Sequence, residues 1–279
     1  MGVRRPVVAG AFYPADPSRL RRSIEESFTH RLGPGKLPGE PSGERTIISV
    51  VCPHAGYMYS GPVAAHSYLQ LSNEGKPDTI VIVGPNHTGL GGPVSLGGAD
   101  AWETPLGSVE IDKDLTSAIL GSSDFIDVDA MAHIREHSIE VQLPFLQHIY
   151  GEFKLVPICM GLQDLETSRR LGEVLAEALK ERNALIMAST DLNHMEPQST
   201  AEPKDRGVID RILALDEAAL QDWVRSRRVS MCGYGPVSAT LVASKRLGAT
   251  KAELLAYSTS GDVIGDHSAV VGYTSMKIT

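Results

Sequence analysis

An α/β domain with a mostly parallel or mixed central sheet flanked by helices follows from three features of this 279-residue chain. Short apolar segments recur along it, among them TIISVV (46–51), TIVIVG (79–84), FKLVPICMG (153–161) and ALIMAST (184–190). Segments with apolar residues at helical spacing alternate with them. The strand segments are near-continuously apolar, as expected when helices bury both faces of a sheet. No internal repeat and no interdomain linker interrupts the pattern, so residues 1–279 read as one domain.

The elements follow in order. Asp16 caps and Pro17 opens a first helix, in which Leu20, Ile24 and Phe28 share a face. The Gly- and Pro-dense stretch LGPGKLPGEPSGE (32–44) reads as a surface loop. The strand at 46–51 leads to a helix from about Pro62 to Leu71, and the strand at 79–84 follows. A shorter strand lies in 92–98, and Asp112 caps a helix ending near Leu120. His137 to Tyr150 predicts a helix interrupted or bent at Pro144. After the strand at 153–161, Asp164 caps a helix whose Leu171, Leu175 and Leu179 share a face. Next come the strand at 184–190, a helical pair over 205–226, and a helix opened by Pro236 and ended by Gly248. ELLAYS (253–258) and SAVVGYTSMKI (268–278) are the last strands.

Composition narrows the function classes. With 42% hydrophobic residues the chain can bury a full core. Its formal charge is −8, and no stretch clusters basic residues for phosphate tracking, which argues against a nucleic-acid partner. No run of about 18 apolar residues predicts a membrane span, and the N-terminus lacks the apolar core of a secretory signal. Three cysteines, Cys52, Cys159 and Cys232, are too few and odd in number for a disulfide framework. A reducing, cytoplasmic location is expected.

The chemistry-bearing residues sit at strand ends. The strand at 46–51 runs into Cys52-Pro53-His54, and that at 79–84 into Pro85-Asn86-His87. In an open α/β sheet, ligands collect outside the carboxyl ends of the strands. A single histidine after a strand is ordinarily a hydrogen-bonded structural residue. Here both follow an apolar strand and a proline, and small residues next to each leave room for a ligand. The strand at 184–190 ends in Asp191-Leu192-Asn193-His194, which brings a carboxylate and an imidazole to the same edge. Cys232 precedes Gly233-Tyr234-Gly235 and a helix start, where the helix dipole would lower a thiol pKa. Cys52 and Cys159 fall in or beside apolar strands and read as core. Two imidazoles and a thiolate suit Fe(II), Zn(II) or Cu. His133-Ile134-Arg135-Glu136-His137 also matches the H-x-x-E-H spacing of a metalloprotease class. That chemistry requires residues 133–137 to be helical. His137 itself, at the start of a predicted helix, is placed to act as an acid or base.

Taken together, RRPVVAGAFYPAD, CPHAGYMYSGPVAAHSY, VGPNHTG, REHSIEVQLPFLQ, ASTDLNH and MCGYGPV resemble the Memo family, in the family's order and over essentially the whole chain. The resemblance implies a fold like that of the class III extradiol ring-cleavage dioxygenases, in which two histidines and a glutamate bind Fe(II). The Memo pattern keeps the histidines and carries a cysteine in place of the carboxylate. Carried onto this chain, His54, His87 and Cys232 match the metal positions. Asp191, His194 and His137 match pocket residues, with His137 or His194 exchanging protons and Asp191 orienting a histidine. Fe(II) is the expected metal, with Cu or Zn as alternatives. An oxygen-using oxidoreductase is expected, acting on a small molecule. The alternative is a non-catalytic module that binds metal, peptide or another ligand and acts through partners. For microbial members the resemblance also implies association with a radical-SAM protein.

Overall fold

The computed structural model describes residues 2–279. The chain order begins β1 (Val3–Arg4), α1 (Pro17–Thr29), β2 (Ser49–Cys52), α2 (Tyr57–Ser72), β3 (Thr79–Pro85) and β4 (Val94–Leu96). It continues with β5 (Ala101–Thr104), β6 (Gly107–Ile111), α3 (Lys113–Gly121), β7 (Asp127–Val128), α4 (Leu143–Tyr150), β8 (Lys154–Met160), α5 (Leu165–Leu179) and β9 (Ala184–Ser189). The last third holds β10 (His194–Glu196), α6 (Gln198–Leu213), α7 (Glu217–Arg227), α8 (Tyr234–Arg246), β11 (Ala252–Thr259), α9 (Ser260–Ile264) and β12 (Val270–Ile278).

The sheet is mixed. Its centre, β6-β8-β3-β9-β2, is parallel throughout. Antiparallel pairs flank it, β5 on β6 at one side and β12 on β2 at the other. The period of two along a strand explains the continuous apolar runs. In β3, Ile80 and Ile82 pack with Phe28, Tyr68 and Phe145 from α1, α2 and α4. Val81 and Val83, on the opposite face, pack with Leu115, Leu171 and Ala239 from α3, α5 and α8. A third cluster joins Val51 and Met276 to Val208, Ile212 and Leu220 of α6 and α7. Among the described residues, no helix is long and apolar enough to cross a membrane.

The fold class read from the sequence holds, and three local expectations change. The second helix starts at Tyr57, five residues before Pro62, and the sixth helix starts at Gln198, ahead of Pro203. In each case the proline is the sixth residue of the helix, past the four N–H groups that lack an intrahelical partner, so the helix forgoes one backbone hydrogen bond there. Pro144 does not bend a helix that begins at His137. It occupies the first turn of α4, and residues 133–139 are irregular. The H-x-x-E-H segment is therefore not on a helix, and the metalloprotease arrangement does not form. His133 is buried against Trp102 and donates from Nε2 to the Ser95 carbonyl at 3.0 Å.

The parallel core sets up the functional rim. Cys52 of β2 pairs in register with Ser189 of β9, and Val83 of β3 with Ala188. The segments just beyond these ends, bearing His54, His87 and Asp191, leave the sheet at the same edge.

Candidate metal centre

His54, His87 and Cys232 each offer a ligand atom, and these atoms lie within 4.8 Å of one another. Cys232 Sγ is 3.3 Å from His54 Nε2, and the two imidazoles meet edge to face with centroids 5.2 Å apart. His54 is buried and His87 is about one-third exposed, so the cluster opens to solvent on one side.

Hydrogen-bond accounting fixes how each histidine presents itself. The Ser189 hydroxyl donates to the Ser138 carbonyl at 2.6 Å and accepts from Gln142 Nε2 at 2.8 Å. With its one proton spent, Ser189 Oγ accepts from His54 Nδ1 at 2.9 Å. His54 Nε2 therefore carries a bare lone pair toward Cys232. His87 Nδ1 lies 2.9 Å from Glu136 Oε1, and the His87 backbone N–H donates to Glu136 Oε2 at 2.6 Å. Glu136 Oε1 also accepts from the backbone N–H groups of His137 and Ser138, both at 2.8 Å. Burial alone would raise this carboxyl. The hydrogen bonds from His87, the charge of that imidazole whenever it is protonated, and the Ser138 N–H outweigh it and hold the group at about 2. An ionised Glu136 accepts from His87 Nδ1 and leaves His87 Nε2 bare. A carboxylate that fixes a ligating histidine in this way also raises its basicity. His87, Glu136 and His137 form a second close trio. The carboxylate oxygens there already take four N–H donors, so the trio orients His87.

Cys232 departs from expectation. It sits just before α8, yet burial, with the Asp191 carboxylate adding to it, pushes its thiol well above the ordinary value. An incoming cation would have to displace that proton. The Asp191 N–H donates to Sγ at 3.2 Å, and Gln163 Nε2 donates to the Cys232 carbonyl at 2.9 Å. Gly233 is required by close approach: a Cβ there would lie 2.5 Å from the Ser189 carbonyl oxygen.

Asp191 caps no helix. Its Oδ1 accepts from the His54 N–H at 2.8 Å, and its Oδ2 lies 4.0 Å from His54 Nε2. Burial raises its carboxyl to about 6, against the opposing hydrogen bond from His54. His194 Nδ1 can only donate to the Ser230 carbonyl at 2.8 Å, which leaves Nε2 free. His137 stacks on His87 at 4.6 Å and meets Phe12 at 4.6 Å. Burial lowers His137 to about 4, so it is neutral near pH 7. His54 is pushed down by burial and then by the neighbouring imidazoles.

A cavity of about 480 Å³ brings His54, His87, His137, Asp191 and His194 together at one wall. A larger cleft, about 860 Å³, lies at the opposite ends of the strands around Thr79 and Lys154, and no histidine or cysteine lines it. Sequence reasoning singled out Glu136 only within a metalloprotease spacing, and did not find Ser189, Gln142 or Gln163 as supports. Tyr57, adjacent to the site in sequence, is buried and donates to the Val141 carbonyl at 2.8 Å.

Relatives match this chain over nearly its whole length. Among curated proteins, a MEMO1 family protein of Methanopyrus kandleri is 55% identical over 276 residues, covering 98% of both chains. One from Methanothermobacter thermautotrophicus is 53% identical over 99% of this chain and 100% of its own. One from Methanocaldococcus jannaschii is 49% identical over 98% of both. Among solved structures, an uncharacterised protein of Escherichia coli K12 shares the fold with a TM-score of 0.58 at 13% identity, covering 84% of this chain and 100% of that one. The family model described as Memo-like protein matches residues 4–277, and the chain belongs to that family.

Proposed function

We propose that His54, His87 and Cys232 bind one divalent metal ion, with Fe(II) the leading candidate and Zn or Cu the alternatives, and that the bound site serves an oxygen-using oxidoreductase. The observation that carries this reading is one ligand atom from each of His54, His87 and Cys232 within 4.8 Å of one another, with Nδ1 of both imidazoles already tied to Ser189 and Glu136. Three protein ligands on one side of an ion leave positions open on the other, as catalytic sites do. The bound ion would supply Lewis acidity and a redox centre beside the cavity. Glu136 and Ser189 hold the two imidazoles in the ligating tautomer. His194 Nε2 and Asp191 are placed to accept a proton from a small-molecule substrate.

Cys232 favours a second reading. A soft thiolate replaces the carboxylate of the two-histidine, one-carboxylate iron sites, and soft ligands also suit Zn and Cu(I). In that reading the protein holds metal, or a ligand through metal, without turnover and acts through partners.

Anaerobic purification with metal analysis, followed by oxygen-uptake measurements after Fe(II) loading, tests both. The first reading expects one ion per chain, substrate-dependent oxygen uptake, and loss of both in His54→Ala. One bound ion with no uptake across a broad panel of small molecules would favour the second. Metal content unchanged in His54→Ala would remove both.

A further inference from the structure

We infer that the cavity beside this cluster takes an uncharged ligand with an apolar body and a proton-donating end, a hydroxyl or a neutral amine, and rejects carboxylates and phosphates. The inference deepens the proposed metal site and rests on it for the placement of the ligand's heteroatom.

Around the cluster, His87, His194 and Asp191 offer acceptors, while the hydroxyl-bearing Tyr59, Ser260 and Tyr273 line the cavity as well. His87 presents a bare Nε2, because its Nδ1 proton goes to Glu136, whereas His54 Nε2 faces Cys232 Sγ at 3.3 Å. His194 presents a bare Nε2, because its Nδ1 proton goes to the Ser230 carbonyl. Asp191 adds a carboxylate to the same wall. An anion placed there would face lone pairs, and buried polar atoms without a donor are costly. Among the described residues, no lysine or arginine lines the cavity. A divalent ion held by one thiolate, with the Asp191 carboxylate alongside, leaves no formal charge to draw in an anion.

The remaining wall fixes the other end of the ligand. Phe12, Val271 and Tyr273 line it, and the lip carries Met195 and Ile264, 72% and 55% exposed. Met195 holds a left-handed backbone, φ 58°, where the pairing of β10 with β12 is irregular. A non-glycine residue in that region is strained and is concentrated at functional sites. The strain keeps an apolar side chain exposed at the mouth, next to His194, which lines the same cavity. A cavity of about 480 Å³ admits a body larger than a single ring. The heteroatom would then lie between the metal positions and His194, with its proton donated to His194 Nε2.

Ligand-observed NMR with phenol, aniline, anisole and benzoate tests this, first on the metal-free full chain and then after Zn(II) loading. Phenol or aniline should bind about tenfold more tightly than anisole, which has the same body without the proton, and than benzoate. Whichever of phenol and aniline binds better identifies hydroxyl or amine as the preferred end. His194→Ala should erase the phenol–anisole difference. Ile264→Lys, at an exposed position that leaves the fold alone, should raise benzoate binding. Anisole or benzoate binding as tightly as phenol, or no binding of any probe at millimolar concentration, would overturn the inference. Failure of Zn(II) to bind would instead remove the metal reading. The phenol–anisole comparison on the metal-free chain would still decide the acceptor wall.

Discussion

Replacing Glu136 with glutamine should cost both stability and metal affinity, because one buried carboxylate holds His87 and its loop. Four N–H groups converge on its two oxygens: His87 Nδ1 and the backbone of His137 and Ser138 on Oε1, and the backbone of His87 on Oε2. An amide has a single oxygen. In either orientation its NH₂ would face at least one of those donors, and the His87 tautomer would be released. A glutamate held at about 2, against an ordinary value near ~4.3, stabilises the folded state by roughly 3 kcal/mol at neutral pH. The carboxyl is depressed in the folded state. Its contribution is therefore present above about pH 4.3 and is lost as pH falls toward 2, leaving roughly 2 kcal/mol at about pH 3.5. Urea denaturation of the metal-free protein from about pH 3.5 to 7 reads this directly. The gap between wild type and Glu136→Gln should approach 3 kcal/mol at neutral pH and narrow in acid. Chelator competition should show about 10- to 100-fold weaker metal binding in the variant. Equal stability at pH 7 together with unchanged metal affinity would refute the role assigned to Glu136.

Other perturbations probe the supports. Glu140 is fully buried, pairs with Arg4 at 2.7 Å, and accepts from the Val7 and Val8 N–H groups and the Tyr13 hydroxyl. Glu140→Ala should cost about 3–5 kcal/mol in denaturation and release the N-terminal segment that places Phe12 on His137, visible as faster amide exchange over residues 4–13. Gly233→Ala should displace Cys232 by steric contact with the Ser189 carbonyl and lower metal affinity at least about tenfold, read by the same competition assay. Asp205, buried at the Asn193 N–H and the Tyr257 hydroxyl, is raised to about 6, chiefly by burial. A raised carboxyl favours folding below its unfolded value and loses that advantage as pH rises through 6. Wild type should therefore lose roughly 2 kcal/mol relative to Asp205→Asn between about pH 4 and 8, read by denaturant midpoints.

How much of this was legible in the sequence depended on distance along the chain. The parallel core was readable because β2, β3 and β9 are near-continuous apolar runs. The positions of His54, His87 and Asp191 then followed from where those strands end. Cys232 could be named but not characterised. Its place before a helix suggested a lowered pKa, whereas the burial that raises it comes from packing against Thr190 and Asp191, about 40 residues away. Glu136 was hidden because residues 133–139 form no regular element, so neither period applied to them. Ser189 looked like an ordinary strand residue, and only the hydroxyl accounting around it reveals that it sets the His54 tautomer. Prolines misled two helix readings, at Pro62 and at Pro144. A proline in the first turn, as Pro144 is, loses no intrahelical bond, one further in, as Pro62 is, loses one, and the chain alone does not say which place it takes.

X-ray absorption on anaerobically Fe(II)-loaded protein tests the central claim most directly. The account predicts one sulfur scatterer near ~2.3 Å and two imidazole nitrogens near ~2.1 Å, with the sulfur lost in Cys232→Ser. A first shell of oxygens only, or identical spectra for wild type and Cys232→Ser, would contradict it.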